Sequence, residues 1–251
     1  MTDLEAFGPI EVVTFDFWNT LVVEDPSLFP RRRKAWADVL AAAGHVVTDA
    51  AIHTAMDHSW EVYVAAWKAN VPFAAHEAVD VVVRELGVAG LPQPVLAELL
   101  EIYVDPPSDR YPTITANLAE CLTVLRDAGV RIGIICDVGL TPSTVLRRYL
   151  DQQGVLDYFS HWSFSDEVGV YKPDARIFRH ALDGLGDPAP HRAAHVGDLR
   201  RTDVAGARAF GMLRVRYPGD SEDPVLDGVP TVEGHHVVDD HATLPSVLGL
   251  V

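Results

Sequence analysis

Cysteine is almost missing from this 251-residue chain: Cys121 and Cys136 are the only two. A disulfide framework is thereby excluded, and a reducing cytoplasm is the expected setting. Positive charge is scarce as well, with 20 Lys and Arg against 36 Asp and Glu and a formal charge of −16. Such a balance argues against a nucleic-acid backbone or an anionic membrane as the main partner and leaves small molecules open. The first residues, Met1 to Ala6, lack a basic region leading into an apolar core, and no run of 18 apolar residues occurs anywhere. We therefore expect a cytoplasmic protein with no membrane partner. There is no internal repeat, no low-complexity tract, and no metal-binding spacing among the 11 histidines.

What is present is an ordinary globular composition, 48% hydrophobic and 22% charged, long enough for one large domain or for a core with a smaller insertion. The stretch Glu11 to Leu21 organises the rest. Its β-branched apolar run stops abruptly at Asp16 and gives way to a small polar loop. In open α/β sheets, ligands bind outside the carboxyl ends of the strands, so a carboxylate there is placed for chemistry; a helix cap or turn is its ordinary alternative.

Beyond Val23 the periodicity turns helical. The spacing predicts helices over 29–43, 48–70 with Thr48 as N-cap, 74–86 and 93–103, with no intruding strand. Pro-rich punctuation bounds this span at Asp25-Pro26 and at Pro106 to Pro112. From 114 onward helices and strands alternate: helices over 117–128, 142–153, 175–185 and 203–210, strands over 131–135, 162–164, 193–196 and 212–217, then a weak strand at 236–238 and a C-terminal helix. The acidic, Gly- and Pro-rich stretch 218–234 is expected to carry no regular structure. Alternation of this kind indicates a doubly wound parallel-sheet (Rossmann-like) α/β core, residues 1–23 and 112–251, with an inserted all-α domain at 24–111.

Three further places present chemical groups at or near strand ends. One strand ends on Cys136 and Asp137, Lys172 precedes Pro173 just ahead of a helix, and another strand ends at Gly197-Asp198, with Asp203 five residues later. Each is weak alone, since Lys-Pro and Gly-Asp are common in turns. Taken in this order they resemble the haloacid dehalogenase superfamily of hydrolases over the whole core and in the placing of the helical insertion. The resemblance implies that Asp16 is the nucleophile of the pattern Asp-x-Asp-x-Thr, with Thr20 at the threonine position. It carries the second motif's hydroxyl position onto Cys136, the third motif's lysine onto Lys172, and the acidic fourth motif onto Gly197, Asp198 and Asp203. The insertion corresponds to the family's cap, which covers the site and selects substrates.

The chemistry behind such a set is general. Attack of a carboxylate on a phosphoryl group brings two anions together, so Mg²⁺ is expected as cofactor, held by hard oxygens from Asp16, Asp198 and the backbone carbonyl of Trp18. Asp203 is read as an outer-sphere or alternate metal ligand. Lys172 would stabilise the transferring group, and the turn at Asp137, with Trp18 and Asn19, would face the substrate.

Two departures from the family pattern stand out. Trp18 occupies the position where the family's phosphatases carry the aspartate that protonates the leaving group, and Asn19 replaces a glycine. Cys136 replaces a hydroxyl and is read as a buried, inert thiol. The expected function is a Mg²⁺-dependent phosphatase for a small phosphorylated metabolite, working through an aspartyl-phosphate on Asp16. A 2-haloacid dehalogenase, in which an aromatic residue also follows the nucleophile by two positions, and a catalytically weak binding module are the alternatives. Two more features carry paired readings. Arg31 to Lys34 is either an anion-holding cluster or a solvated helix face. Trp36, Trp60, Tyr63, Trp67 and Phe73 are either a pocket lining or the core of the inserted domain. His195 is expected to be a packed, hydrogen-bonded side chain.

Overall fold

Val12–Phe15 forms strand β1, and all four residues are buried, as befits a strand covered by helices on both faces. The computed structural model describes residues 7–108, 111–219, 223 and 232–251. The readings for residues 1–6, for 109–110 and for most of 218–234 lie outside the described residues.

By packing, the chain divides into two units. The first comprises Met1–Val23, Pro112–Asp137 and Tyr149–Val251. Its strands β1, β4 (Arg131–Cys136), β5 (His161–Phe164), β6 (Ala193–Gly197), β7 (Leu213–Arg216) and β8 (His236–Val237) form one sheet in the order β5-β4-β1-β6-β7-β8. Every pairing in that sheet is parallel. Strand β1 lies between β4 and β6, so successive connections leave it toward opposite edges and a crevice opens at the carboxyl ends of these three strands. Helices α5 (Leu118–Asp127), α7 (Ser165–Val168), α8 (Ala175–Gly184), α9 (Ala205–Phe210) and α10 (Leu244–Val247) belong to the same unit. Ile177, Phe178, Ala181 and Leu182 of α8 pack with Val12, Ile135, Ala193 and Met212 in one fully buried cluster.

Two local features exceed the sequence expectation. Val22–Val23 (β2) pairs antiparallel with Thr113–Ile114 (β3); strands of two residues are too short to show a period. Helix α9 starts later than the spacing suggests, because Arg200–Val204 forms a wider turn ahead of it, and such turns occur often at functional sites.

The second unit holds Glu24–Tyr111 and Val138–Arg148. Its helices are α1 (Leu28–Ala42), α2 (Asp49–Lys68), α3 (Ala75–Glu85) and α4 (Gln93–Val104), followed later in the chain by the first part of α6 (Ser143–Gln152). The Thr48 hydroxyl accepts a hydrogen bond from Ala51 N at the start of α2, satisfying a donor the helix itself cannot. Trp36, Leu40, Ile52, Val82, Leu99 and Tyr103 form the core, with Leu140 packed against it. Trp36 Nε1 donates to Leu99 O at 3.0 Å, and Tyr63 is buried. Trp60, by contrast, is 51% exposed. In the basic cluster, Arg31 donates to Ser108, Arg33 pairs with Asp49 and Lys34 with Asp38. Arg32 lies over the rings of Phe29 and Tyr103.

Candidate active site

The site is built where β1 stops. Asp16 N–H still donates to Val196 O of β6 at 2.8 Å, so the side chain leaves from the last backbone position held by the sheet. The chain then turns tightly. Leu21 N and Val22 N both donate to Phe17 O, and Asn19 N donates to Val22 O. Asn19 adopts φ +57°, a left-handed conformation that asparagine tolerates better than most residues; this accounts for its standing where a glycine was expected. Thr20 is buried, its carbonyl accepting from His241 Nε2 at 2.8 Å and Thr115 Oγ1 at 3.0 Å. Trp18 is half-buried with its ring edge-on to Phe17 at 5.1 Å.

The other groups arrive from neighbouring strand ends. Cys136 closes β4 and is wholly buried, and Asp137 beyond it accepts from Lys172 N at 2.9 Å. That bond sets the backbone of the Lys172 loop. Lys172 itself is 2% exposed, and its Nζ donates to Asp16 Oδ1 at 2.5 Å and Asp203 Oδ1 at 2.6 Å. Asp198 follows β6, and the wide turn brings Asp203 back over the strand end. A Cβ on Gly197 would sit 2.3 Å from Asp203 Cγ, so glycine is what allows the carboxylate to close in. Asp16, Asp198 and Asp203 are all buried, with one oxygen of each within 4.8 Å of the others.

Three carboxylates against one ammonium leave the cluster rich in negative charge. Burial pushes the Asp16 carboxyl well above its usual range; Lys172 opposes this, and Asp203 and Asp198 add to it. Burial alone would lower Lys172, but Asp16 and Asp203 more than offset it and hold the ammonium charged. Burial also raises Asp203, yet Lys172 and His195 together bring it below the ordinary carboxylate range. The Cys136 thiol is raised, by burial first and by Asp16 second, and stays protonated. His195 is lowered by burial and is neutral.

The carboxylates of Asp16 and Asp198 suit a hard divalent cation. Asp203 differs: Lys172 Nζ and His195 Nε2 reach its Oδ1, while Leu199 N and Thr202 Oγ1 reach its Oδ2. A carboxylate has about four acceptor positions, and here all are taken, so Asp203 has no acceptor position left over for a cation.

With this geometry in view, the family model for haloacid dehalogenase-like hydrolases matches residues 10–211. The chain belongs to that family. It is 39% identical over 105 residues to a phosphoserine phosphatase of Thermus thermophilus and 38% identical over 82 residues to a pyrimidine 5′-nucleotidase of Escherichia coli. Those stretches are 42% and 33% of this chain and span only 39% and 35% of the two relatives. A longer match, 27% identical over 210 residues, covers 83% of the chain and 80% of a glyceraldehyde 3-phosphate phosphatase from Pyrococcus furiosus. Among solved structures, a 2-haloacid dehalogenase from Pseudomonas syringae superposes with a TM-score of 0.67 at 24% identity, over 96% of this chain and 98% of that one. At that identity the likeness speaks for the fold. Membership in this family of hydrolases agrees with the α/β, Rossmann-like core. No helix among the described residues is long and apolar enough to cross a membrane.

The structure gathers Asp16, Cys136, Asp137, Lys172, Asp198 and Asp203 around one point. Two connections escaped the sequence reading. His195 is packed as expected, but it also bridges Thr14 and Asp203, and His241, 221 positions from Thr20, holds the turn after Asp16. Neither has a local signal, since adjacent strands bring Thr14 to His195 and the packing of the C-terminal segment brings His241 to Thr20.

Proposed function

We propose that this hydrolase is a Mg²⁺-dependent phosphoric monoester hydrolase of the cytoplasm, acting on a small phosphorylated metabolite through an aspartyl-phosphate on Asp16. The observation that carries the reading is the buried trio Asp16, Asp198 and Asp203 with a single lysine among them. An unbalanced anionic cluster excludes an anionic substrate until a cation compensates it. Mg²⁺ would be held by Asp16 and Asp198 and would supply charge neutralisation for phosphoryl transfer. The residues of the chain do the rest. Asp16 attacks with Oδ2, because Lys172 occupies Oδ1. Lys172 then offsets charge on the transferring group, and backbone N–H groups in the turn after Cys136 serve as donors. Water cleaves the acyl phosphate in the second half of the reaction. Substrate choice is assigned to the helical unit.

Trp18 makes the proposal specific. An indole transfers no proton, so leaving-group departure depends on the leaving group's own acidity or on a proton from substrate or cap. The same aromatic residue favours the second reading, a 2-haloacid dehalogenase, since halide departs without protonation. The carboxylate trio favours phosphate. A panel of aryl, acyl and alkyl phosphates and of 2-haloacids, each with Mg²⁺ and with excess EDTA, separates the two. Phosphate release that needs Mg²⁺ supports the proposal; halide release that survives EDTA overturns it.

A further inference from the structure

Thr14 of β1 and His195 of β6 are register partners in adjacent parallel strands, so their side chains emerge on the same face of the sheet. Both are buried, and the His195 ring meets Phe178 edge-on at 5.4 Å. His195 Nε2 lies 2.9 Å from Asp203 Oδ1 and Nδ1 lies 2.9 Å from Thr14 Oγ1. A carboxylate only accepts, so Nε2 carries the proton; in the neutral ring Nδ1 then accepts from the threonine hydroxyl, whose other acceptor, Ala194 O, is farther away at 3.3 Å. An ordered chain results, Thr14 to His195 to Asp203 to Lys172 to Asp16, and every link is buried.

We propose that His195 is a positioning residue for the reaction, its Nε2–H occupying part of Asp203 Oδ1 so that Lys172 is shared with Asp16 instead of being drawn wholly onto Asp203. A buried carboxylate satisfies its acceptor capacity from whatever donors are at hand. Without the imidazole, Asp203 claims the ammonium more strongly, and Asp16 loses the partner that orients its attacking carboxylate. Thr14 fixes the tautomer and the ring, as outer partners of functional histidines do.

The kinetic part of the test rests on the phosphatase reading and uses an aryl phosphate with Mg²⁺; the spectroscopic part needs neither substrate nor metal. Three substitutions separate donor from filler. In His195→Gln the amide nitrogen falls near the place of Nε2, in His195→Asn it falls near Nδ1 and cannot reach Asp203, and His195→Leu removes both. We expect kcat to fall about 10–100-fold in His195→Leu and His195→Asn, the worth of one hydrogen bond to a charged group, with KM changed less than about threefold. His195→Gln should recover most of kcat. Comparable kcat in all three folded variants, or recovery by Asn and not by Gln, overturns the proposal. Should His195→Leu fail to fold, Thr14→Val takes its place, with an intermediate fall in kcat expected and wild-type kcat overturning it. In metal-free protein carrying ¹⁵N-labelled histidine, His195 should show Nε2 protonated and Nδ1 unprotonated. An Nδ1–H ring overturns the proposal even if no phosphate ester is ever turned over, whereas an Nε2–H ring in a protein inactive on phosphates would count against the phosphatase reading alone.

Discussion

At the scale of single residues, the proposed chemistry turns on Asp16 and Trp18. Asn is nearly isosteric with Asp but a far weaker nucleophile. Asp16→Asn is therefore expected to lose roughly 10³-fold or more in turnover, as nucleophile removals do. Its metal-free form should melt no lower than wild type, because the substitution takes one charge from a crowded trio. Turnover assays and calorimetry on the same preparation check both halves. Trp18 leads to the second expectation. Without a carboxyl acid two positions beyond the nucleophile, aryl and acyl phosphates should be hydrolysed at least ~10²-fold faster than alkyl phosphates, the usual worth of general acid catalysis. Trp18→Asp should flatten the plot of log kcat against leaving-group pKa. Equal slopes in the two proteins, with chemistry rate-limiting, would locate the proton donor elsewhere. Asn19 shows how a departure from a family pattern can be conformationally neutral, since its φ of +57° is one asparagine accepts.

At the scale of elements, helix α8 joins the Lys172 loop to the sheet core. Its N-cap is Asp174, whose carboxylate accepts from Arg176 N at 2.9 Å. The Arg176 side chain, first among the causes, holds the Asp174 carboxyl below its usual range. A depressed carboxyl contributes stability that is complete above the unfolded value of about 3.9 and is lost as pH falls through the lower folded value. Asp174→Ala should thus cost ~1 kcal/mol near pH 7, and the gap from wild type should close at pH values below the folded pKa. Urea unfolding at two pH values measures it; a gap independent of pH would deny the cap its charge. The wide turn Arg200–Val204 shows the opposite economy, giving up regular helix so that Asp203 accepts from Leu199 N and Thr202 Oγ1 while facing Lys172.

At the scale of the whole molecule, the surplus of negative charge is general, −16 over 251 residues, and among the described residues the trio concentrates it in a buried place. Mg²⁺ should therefore raise the thermal midpoint of the wild-type protein, by the equivalent of ~2.7 kcal/mol at a hundredfold excess over Kd. EDTA should abolish turnover. Asp198→Ala should weaken Mg²⁺ binding at least ~10-fold, as losses around metal sites commonly do, while Cys136→Ser should not. Titration calorimetry with the metal alone distinguishes these, and unchanged affinity in Asp198→Ala would remove that residue from the inner sphere.

The sequence by itself determined the alternation of elements, the helices within residues 24–111, and the carboxylates and lysine at strand ends, because periodicity and strand-to-loop transitions are local. Thr48, for example, caps α2 with a bond to a residue three positions on. Only the tertiary structure decided that Val138–Arg148 packs with the helical unit, that Thr14 stands beside His195, that His241 holds Thr20, and that Asp203 is already saturated by four donors. Three of the Asp203 donors lie within eight positions of it, but Lys172 to Asp203, Thr14 to His195 and Thr20 to His241 are pairings across 31 to 221 positions, and no periodicity encodes which strand lies beside which. Register converts Thr14 and His195, 181 residues apart, into neighbours 2.9 Å from contact atom to contact atom, and with them settles how the lysine is shared between two carboxylates.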